Sequence, residues 1–358
     1  MDGGHDHTHA LKRRAVVDGS GGGKVQTPQI VLFGGFTIPL HFGNNGIFVV
    51  VHEGEGRHLA VNTGVGKTKL SIELAKKYDG EVISGDSMQI YKTMDIGTAK
   101  VTRQEMQGVI HHLIDVKNPD ESYSVMEFQE TVRQKIHEIT KRGKMPILVG
   151  GTGLYIKAVL YDYQFEKSES DHEATERKYA HLDNQALYQH LRDIDPEATH
   201  NIHPNNRRRV LRAIEIYETT GQKKSSIEAA QNHQMIYDAY LIGLTLPRPL
   251  LHSRIDQRVN VMMENGLEEE VDRLMKSGAQ DDWQSMKAIG YKEWFDYYRG
   301  DKSKIEVVEA IKTHSRQYAK RQYTWFNNQM QVNWYDVNLE NFAETVNNVE
   351  KDVDVWIK

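Results

Sequence analysis

No cysteine occurs anywhere in this chain. That excludes a disulfide framework and a cysteine-ligated zinc site, and it suits a reducing compartment. Long apolar runs are lacking as well. The longest are broken by glycine or charge and fall well short of the roughly 20 residues a membrane-spanning helix needs. There is no excess of positive charge either, because the formal net charge is -5. Global electrostatics therefore do not mark a nucleic-acid binder, and any RNA contact must come from a local basic patch. What is present is an ordinary globular balance, 39% hydrophobic and 27% charged. It supplies enough apolar material for a sizeable core. A length of 358 residues suits two domains, or one α/β core carrying an insertion.

Residues 1–57 differ in texture from the rest. They hold His5-Asp6-His7-Thr8-His9, the run Gly19-Ser20-Gly21-Gly22-Gly23-Lys24 and many further glycines. This composition reads as a flexible linker or tail, an atypical N-terminal extension. The histidine cluster reads as solvated, since no rigid ligand set lies near it. The charged start is followed by no apolar stretch of the kind a signal peptide carries. Within the segment, Ile30-Val31-Leu32-Phe33 and Ile47-Phe48-Val49-Val50-Val51 have strand character.

From Gly64 onward, strand-like and helix-like segments alternate. Residues 67–78 read as a helix with Leu70, Leu74 and Ala75 on one face. Glu81-Val82-Ile83-Ser84 reads as a short buried strand. Residues 124–142 are the clearest helix: Val125, Phe128, Val132, Ile136 and Ile139 recur at steps of three and four. Ser124 and Glu127 form a capping box, and Gly143 stops the helix. Pro146-Ile147-Leu148-Val149 reads as the next strand. This rhythm implies a parallel sheet with crossover helices. Residues 165–237 show no convincing strand and read as a helical insertion. Tyr240-Leu241-Ile242-Gly243-Leu244 restores a strand, so the core resumes over 238–336. Residues 337–358 read as a C-terminal helical tail. The first part of the core is then 58–164.

Several segments carry chemistry. Gly64-Val65-Gly66-Lys67-Thr68 matches the end of a phosphate-binding loop. Such a loop aims backbone N–H groups at phosphate oxygens from a helix N-terminus. Lys67 would neutralise phosphate charge and the Thr68 hydroxyl would hold Mg²⁺. The bland alternative is a glycine-rich turn before an ordinary helix. Asp86, in Gly85-Asp86-Ser87-Met88-Gln89-Ile90-Tyr91, follows a strand, where loops line the ligand crevice of an open α/β sheet. It is either a general base or the cap of a turn. His111 and His112 suggest metal, but neighbours on a strand point to opposite faces, so a structural role is favoured. Asn205-Asn206-Arg207-Arg208-Arg209-Val210-Leu211-Arg212 is the strongest basic cluster. Val210, Leu211, Ile214 and Tyr217 supply its packing side. Arg208 and Arg212 share a helix face that suits either an RNA backbone or a solvated surface with Glu215 and Glu218 as partners. Arg254 and Arg258, also four apart, read as helix-surface salt bridging unless other context intervenes. In residues 317–326, basic and aromatic side chains alternate at helical spacing, which suits RNA stacking but more often marks core.

Taken in order, these segments resemble the tRNA dimethylallyltransferase (tRNA isopentenyltransferase) family over roughly residues 63–334. The carriers are Thr63 to Thr68, Gly85 to Tyr91, Asp95-Ile96-Gly97-Thr98-Ala99-Lys100 and His111-His112-Leu113-Ile114-Asp115. Gly150-Gly151-Thr152-Gly153-Leu154-Tyr155, His203-Pro204-Asn205-Asn206 with the arginine cluster, and residues 317–326 complete the set. The resemblance implies a P-loop NTPase-like α/β fold, a parallel sheet core with a helical tRNA-binding insertion. It implies transfer of a dimethylallyl group from dimethylallyl diphosphate to N6 of adenosine 37 of tRNA, next to the anticodon. Thr63, Gly64, Val65, Gly66, Lys67 and Thr68 would then hold the diphosphate. Lys67, Thr68 and Arg258 would serve the leaving group, with Thr68 on Mg²⁺, and Asp86 would be the general base. Asp86, Ser87, Met88, Gln89, Thr152, Arg208, Arg209, Val210, Leu211 and Arg212 would contact the tRNA anticodon stem-loop. The same resemblance implies a cytoplasmic, monomeric enzyme with no membrane attachment. The chain departs from the family pattern at Val61 and Asn62, which replace Gly and Pro of the loop, and at Ile110, which replaces Pro. Two rivals remain: a small-molecule kinase using ATP on the same loop, and a catalytically impaired tRNA-binding relative.

Overall fold

Four short apolar runs pair side by side, with a short polar or aromatic strand at each edge, into one six-stranded sheet in the computed structural model, which describes residues 29–33, 66–163, 165, 172–230 and 234–358. The readings made at His5–His9, Gly19–Lys24, Ile47–Val51, Val61, Asn62, Thr63, Gly64 and Val65 lie outside the described residues.

The strands are β1 (Gln29–Phe33), β2 (Gly80–Ser84), β3 (His111–His112), β4 (Met145–Gly150), β5 (Ala239–Thr245) and β6 (Asn333–Asp336). Their order is β3-β2-β4-β1-β5-β6, and all pairings are parallel. Parallel neighbours need crossovers, and helices supply them. The first are α1 (Lys67–Lys77), α2 (Arg103–Met106), α3 (Val125–Lys141) and α4 (Gly153–Leu160). Next come α5 (His172–Tyr179), α6 (Asn184–Ile194), α7 (Arg207–Thr220) and α8 (Lys224–Ala230). After β5 follow α9 (Arg248–Glu264), α10 (Leu267–Lys276), α11 (Trp294–Tyr298), α12 (Lys304–Gln329) and, after β6, α13 (Phe342–Ile357).

Local sequence explains much of this. In α3 the Ser124 hydroxyl accepts from the Glu127 N–H, and the Glu127 carboxylate accepts from the Ser124 N–H. The side chains of Phe128, Val132, Ile136 and Ile139 are buried on its inner face. β4 is buried at five of its six residues, as a strand paired on both edges and covered on both faces must be.

Two segments read as lying outside the core join the main fold. Gln29–Phe33 lies in a segment whose composition reads as a tail, yet it forms an inner strand, in register with Ile147–Gly150 on one side and Ala239–Gly243 on the other. The apolar run Ile30-Val31-Leu32-Phe33 outweighs the glycine-rich surroundings. Residues 337–358, read as a helical tail, do form helix α13, and it packs onto the core. Val346, Val349 and Val353 of α13 join the main core. Lys77 pairs with Glu350 and Asp354, and the Tyr78 hydroxyl donates to Asp354.

The apolar residues divide into two clusters. The large one surrounds the sheet. A second cluster is built wholly from α5 to α7 and their connections, with Leu187, Leu191, Val210 and Ile214 fully buried in it. Arg207 braces this unit by donating to the carbonyls of Tyr179 and Leu182 and pairing with Glu176. Asp195 ties it to α8 by accepting from the N–H and hydroxyl of Ser225.

Candidate active site

In a parallel sheet the loops leaving the C-terminal ends of the strands converge on one edge, and a ligand crevice forms there. Three segments meet at this edge: the start of α1, the loop after β2 and the loop after β4. Gly66 precedes α1 with φ 99, a backbone region open to glycine at no steric cost. The turn lets Lys67 open an eleven-residue helix whose first N–H groups have no side-chain cap. Such a terminus favours an anion. The loops after β2 and β4 are pressed together. Gly85 N–H donates to Val149 O at 2.7 Å, and a Cβ on Gly150 would stand 2.1 Å from the Gly85 carbonyl oxygen. Only glycine fits at that point.

This edge holds three buried ionisable side chains. Lys67 is 5% exposed, Asp86 3% and Arg258 2%. Asp86 Oδ1 accepts the Met88 N–H at 2.8 Å, so the residue does cap a turn. It is also in the electrostatic field of Lys67 and Arg258. Burial pushes its carboxyl up to about 6, against the pull of Lys67, the Met88 and Gln89 N–H groups and Arg258. Burial pushes Lys67 down to about 7, with Asp86 opposing and Arg258 reinforcing. Burial likewise lowers Arg258 to about 9, countered by Glu105 and Asp86. Removing charges from water is costly. Cations and a carboxylate sharing one buried place, each shifted by burial, make this edge the candidate functional site.

The arginines of α9 therefore depart from the surface reading. Arg258 is among the largest fully buried side chains, and burial also lowers the pKa of Arg254. A helix spacing of four says nothing about which face packs inward, and here Ile255, Arg258, Val259 and Met262 do.

Around the trio, Ser87 N–H donates to the Thr152 hydroxyl at 3.4 Å, and the two hydroxyls lie 3.3 Å apart. The Gln89 amide donates to Thr98 O and Ala99 O. The Met88 side chain is core, 4% exposed, so only its backbone can meet a ligand. Thr68 is half-buried at the second position of α1.

Helix α12 contributes residues from the segment 317–326, to which the sequence reading gave no individual site role. Gln322 Nε2 donates to Gly151 O at 2.7 Å. The Tyr318 hydroxyl bonds Thr152 and Gln322 beside Asp86, and burial raises its pKa. The Trp325 ring lies where a Cβ on Gly153 would sit, 2.2 Å from it. Tyr318, Gln322 and Trp325 are spaced four and three apart, so one helix face delivers all of them. That spacing was the available signal.

The histidine pair has separate partners. His112 Nε2 meets Glu81 at 2.7 Å, and Glu81 also takes Arg142 at 2.6 Å. His111 Nδ1 meets Val109 O. Among the described residues, no group of three or more His, Asp or Glu could hold a metal ion.

On α7 the basic cluster splits. Arg208 and Arg209 are exposed and make no ion pair among the described residues. Arg212 pairs with the buried Glu215 at 2.7 Å. Glu218 answers Lys178 and the Tyr179 hydroxyl instead. Val210 and Leu211, read from the spacing as packing residues and by resemblance as part of the RNA-contacting segment, are exposed at only 0% and 6% in the insertion's own core. Their side chains cannot reach RNA while α7 stays packed. Tyr217, expected to pack, is 38% exposed.

Known proteins resemble the chain along most of its length. The family model described as IPP transferase matches residues 89–329. A tRNA dimethylallyltransferase of Bacillus cytotoxicus is 54% identical over 292 residues, 80% of this chain and 92% of that protein. One from Bacillus cereus is 55% identical over 278 residues, 77% of this chain and 87% of that protein. Among solved structures, the tRNA isopentenylpyrophosphate transferase of Staphylococcus epidermidis is 42% identical with a TM-score of 0.63, covering 92% of this chain and 99% of that one. A eukaryotic dimethylallyltransferase captured acting on tRNA is 30% identical with a TM-score of 0.70, covering 90% of this chain and 77% of that one. Among the described residues, no helix is long and apolar enough to cross a membrane.

Proposed function

The chain belongs to the IPP transferase family and is a tRNA prenyltransferase, and on that premise we propose that it moves the dimethylallyl group of dimethylallyl diphosphate to N6 of adenosine 37, beside the anticodon. The observation that carries this reading is the buried grouping of Asp86 with Lys67 and Arg258 at the sheet edge. The reaction needs a base for the amine and cations for the leaving group, and this grouping offers both.

The exocyclic amine of adenine is a poor nucleophile. Its nitrogen attacks the first carbon of the prenyl chain while the carbon–oxygen bond breaks, and the bonding pair leaves with the diphosphate. Asp86 takes the proton lost from N6. Lys67, Arg258 and the N–H groups at the start of α1 bear the growing negative charge of the diphosphate. Within this reading Thr63, Gly64 and Val65 also bind the diphosphate. The target base leaves its stack to reach Asp86. Ser87, Gln89 and Thr152 line its path, while Arg208 and Arg209 grip the RNA backbone.

Magnesium fits this site in a limited way. The protein offers the Thr68 hydroxyl and no carboxylate cage among the described residues. Such a donor set suits Mg²⁺, which keeps waters and binds mostly through substrate phosphate oxygens. When bound it would neutralise the departing diphosphate. The enzyme works as a monomer in the cytoplasm in this reading.

The test is incubation with anticodon stem-loop RNA, dimethylallyl diphosphate and Mg²⁺, followed by mass analysis of the nucleosides. One isoprenoid unit on adenosine is the expected product. A parallel incubation with labelled ATP and small-molecule acceptors checks the kinase alternative. Phosphoryl transfer without prenylated adenosine would overturn the proposal.

A further inference from the structure

Outside the reacting groups, one buried carboxylate is unusually well occupied. Glu270 of α10 is 2% exposed. Its Oε2 accepts the N–H groups of Asp95 and Ile96, each at 2.8 Å, and its Oε1 accepts that of Gly97 at 3.0 Å. The Tyr291 hydroxyl donates to the same Oε1 at 2.6 Å. Four donors around one carboxylate make a charge-assisted set, which is stronger than neutral hydrogen bonds. The residues it holds are about 175 positions away in sequence, so no local propensity arranges the contact.

The held loop has a conformation it would not adopt alone. Thr93 has φ 64 and Ala99 φ 46, a region side-chain-bearing residues visit rarely, β-branched ones least. Such backbone persists only when its surroundings over-determine it. Gly97 is wedged flat against Tyr291, whose ring atoms would stand 2.5 Å from a Cβ there. Lys100 ties the far end by donating to Tyr91 O and pairing with Asp95 and Asp115. The loop then turns the carbonyls of Thr98 and Ala99 toward one acceptor-seeking group, the side-chain amide of Gln89. Gln89 stands three residues after Asp86 at the sheet edge.

We propose that Glu270 is a positioning residue for RNA recognition: with Tyr291 it sets the 95–99 loop, and the loop sets the Gln89 side chain. The inference rests on the reading of Gln89 as an RNA contact. Glu270 touches neither substrate. It acts through one loop, whose Thr98 and Ala99 carbonyls hold the Gln89 amide.

Three substitutions test it: Glu270→Gln, Tyr291→Phe and Gln89→Ala, with the double variant Glu270→Gln/Gln89→Ala. Readouts are stem-loop binding by anisotropy, binding of dimethylallyl diphosphate, KM, kcat and melting temperature. Glu270→Gln keeps the shape but puts an amide NH₂ against backbone donors. It should raise the Kd and KM for the stem-loop roughly tenfold or more, the scale of losing a bond to a charged group. Diphosphate affinity should stay unchanged and kcat should move by less than about threefold. Tyr291→Phe removes one donor and should shift the RNA constants the same way by less. The double variant should be no worse than the weaker-binding single variant, since coupled residues do not add. Additive effects, an unchanged RNA Kd, or parallel losses in diphosphate binding and melting temperature would overturn the proposal. If Glu270→Gln does not fold, Tyr291→Phe decides by the same criteria. A wild-type chain that binds stem-loop RNA without prenylating it would refute the reaction, while the RNA constants would still judge Glu270.

Discussion

Arg258 in the main body and Arg208 with Arg209 in the helical insertion carry the same charge in opposite surroundings. Arg258 is buried next to Asp86 and Lys67, and burial lowers its pKa. Arg208 and Arg209 stand in solvent on α7, above a small core of Val210, Leu211 and Ile214. A buried cation is already stripped of water and interacts strongly with an anion placed beside it. An exposed one acts at a distance, weakly and subject to salt. The first suits the transition state of a reaction, and the second suits capture of a polyanion. The comparison teaches that charge density along a sequence finds an exposed basic surface. It does not find the cation that is buried beside a carboxylate.

If the two regions divide the work this way, they should fail differently. The largest effect is expected at Asp86. Asp86→Asn should lower kcat by about 10²–10⁴-fold, the range for losing a general base. Stem-loop affinity should change little, and a near-normal kcat would break the comparison at once. The same carboxyl sets a pH limb. Burial raises it to about 6, and only the ionised form can accept a proton. Activity as kcat/KM should therefore fall as pH drops through about 6, and fall again on the alkaline side as Lys67, lowered by burial to about 7, loses its charge. A profile without that acid limb would remove Asp86 from the role.

Next in size is a change of stability confined to the insertion. Ile214 is fully buried in the second cluster. Ile214→Ala should cost about 2–5 kcal/mol through reduced burial and a residual cavity. Denaturant melts should show the loss, while binding of dimethylallyl diphosphate at low denaturant should remain normal. Weakened diphosphate binding would mean the two cores are not separate units.

Smaller still, Arg208→Ala with Arg209→Ala should weaken stem-loop binding and flatten its dependence on salt. The slope of log K against log salt should fall by about one for each phosphate that is no longer neutralised. The rate at saturating RNA should hold, and a slope equal to that of wild type would make these arginines a solvated face only. Least of all, Tyr217→Ala should change stability by no more than about 0.5 kcal/mol, since the side chain is exposed and away from special features. A larger loss by thermal melting would show that Tyr217 packs after all.

The α/β alternation, the capped helix α3 and the helical stretch after β4 were legible because each is a local pattern. Periods of two and of three to four residues report which face is buried, and a capping box reports where a helix begins. The place of Asp86 at the end of β2 was legible for the same reason, and the ordered motifs made the family legible. The apolar run Ile30-Val31-Leu32-Phe33 was legible as a strand, but its place inside the sheet was not, because strand pairing is a contact with distant residues. Sequence spacing could not separate Arg258 from Arg254, although it did set Val210 and Leu211 on the packing side of α7. Helical neighbours differ by about 100° in direction, and the inward direction is set by what packs against the helix.

By itself the sequence determined the family, the kinds of secondary structure and the residue types available for the chemistry, since these depend on identity and short-range order. Only the tertiary structure decided which charges are buried together. It alone brought Tyr318 and Gln322 to the loop after β4, and Glu270 to the N–H groups of residues 95–97. The strength of an ionisable group depends on its solvent and its neighbours, and both come from chain segments far apart in sequence.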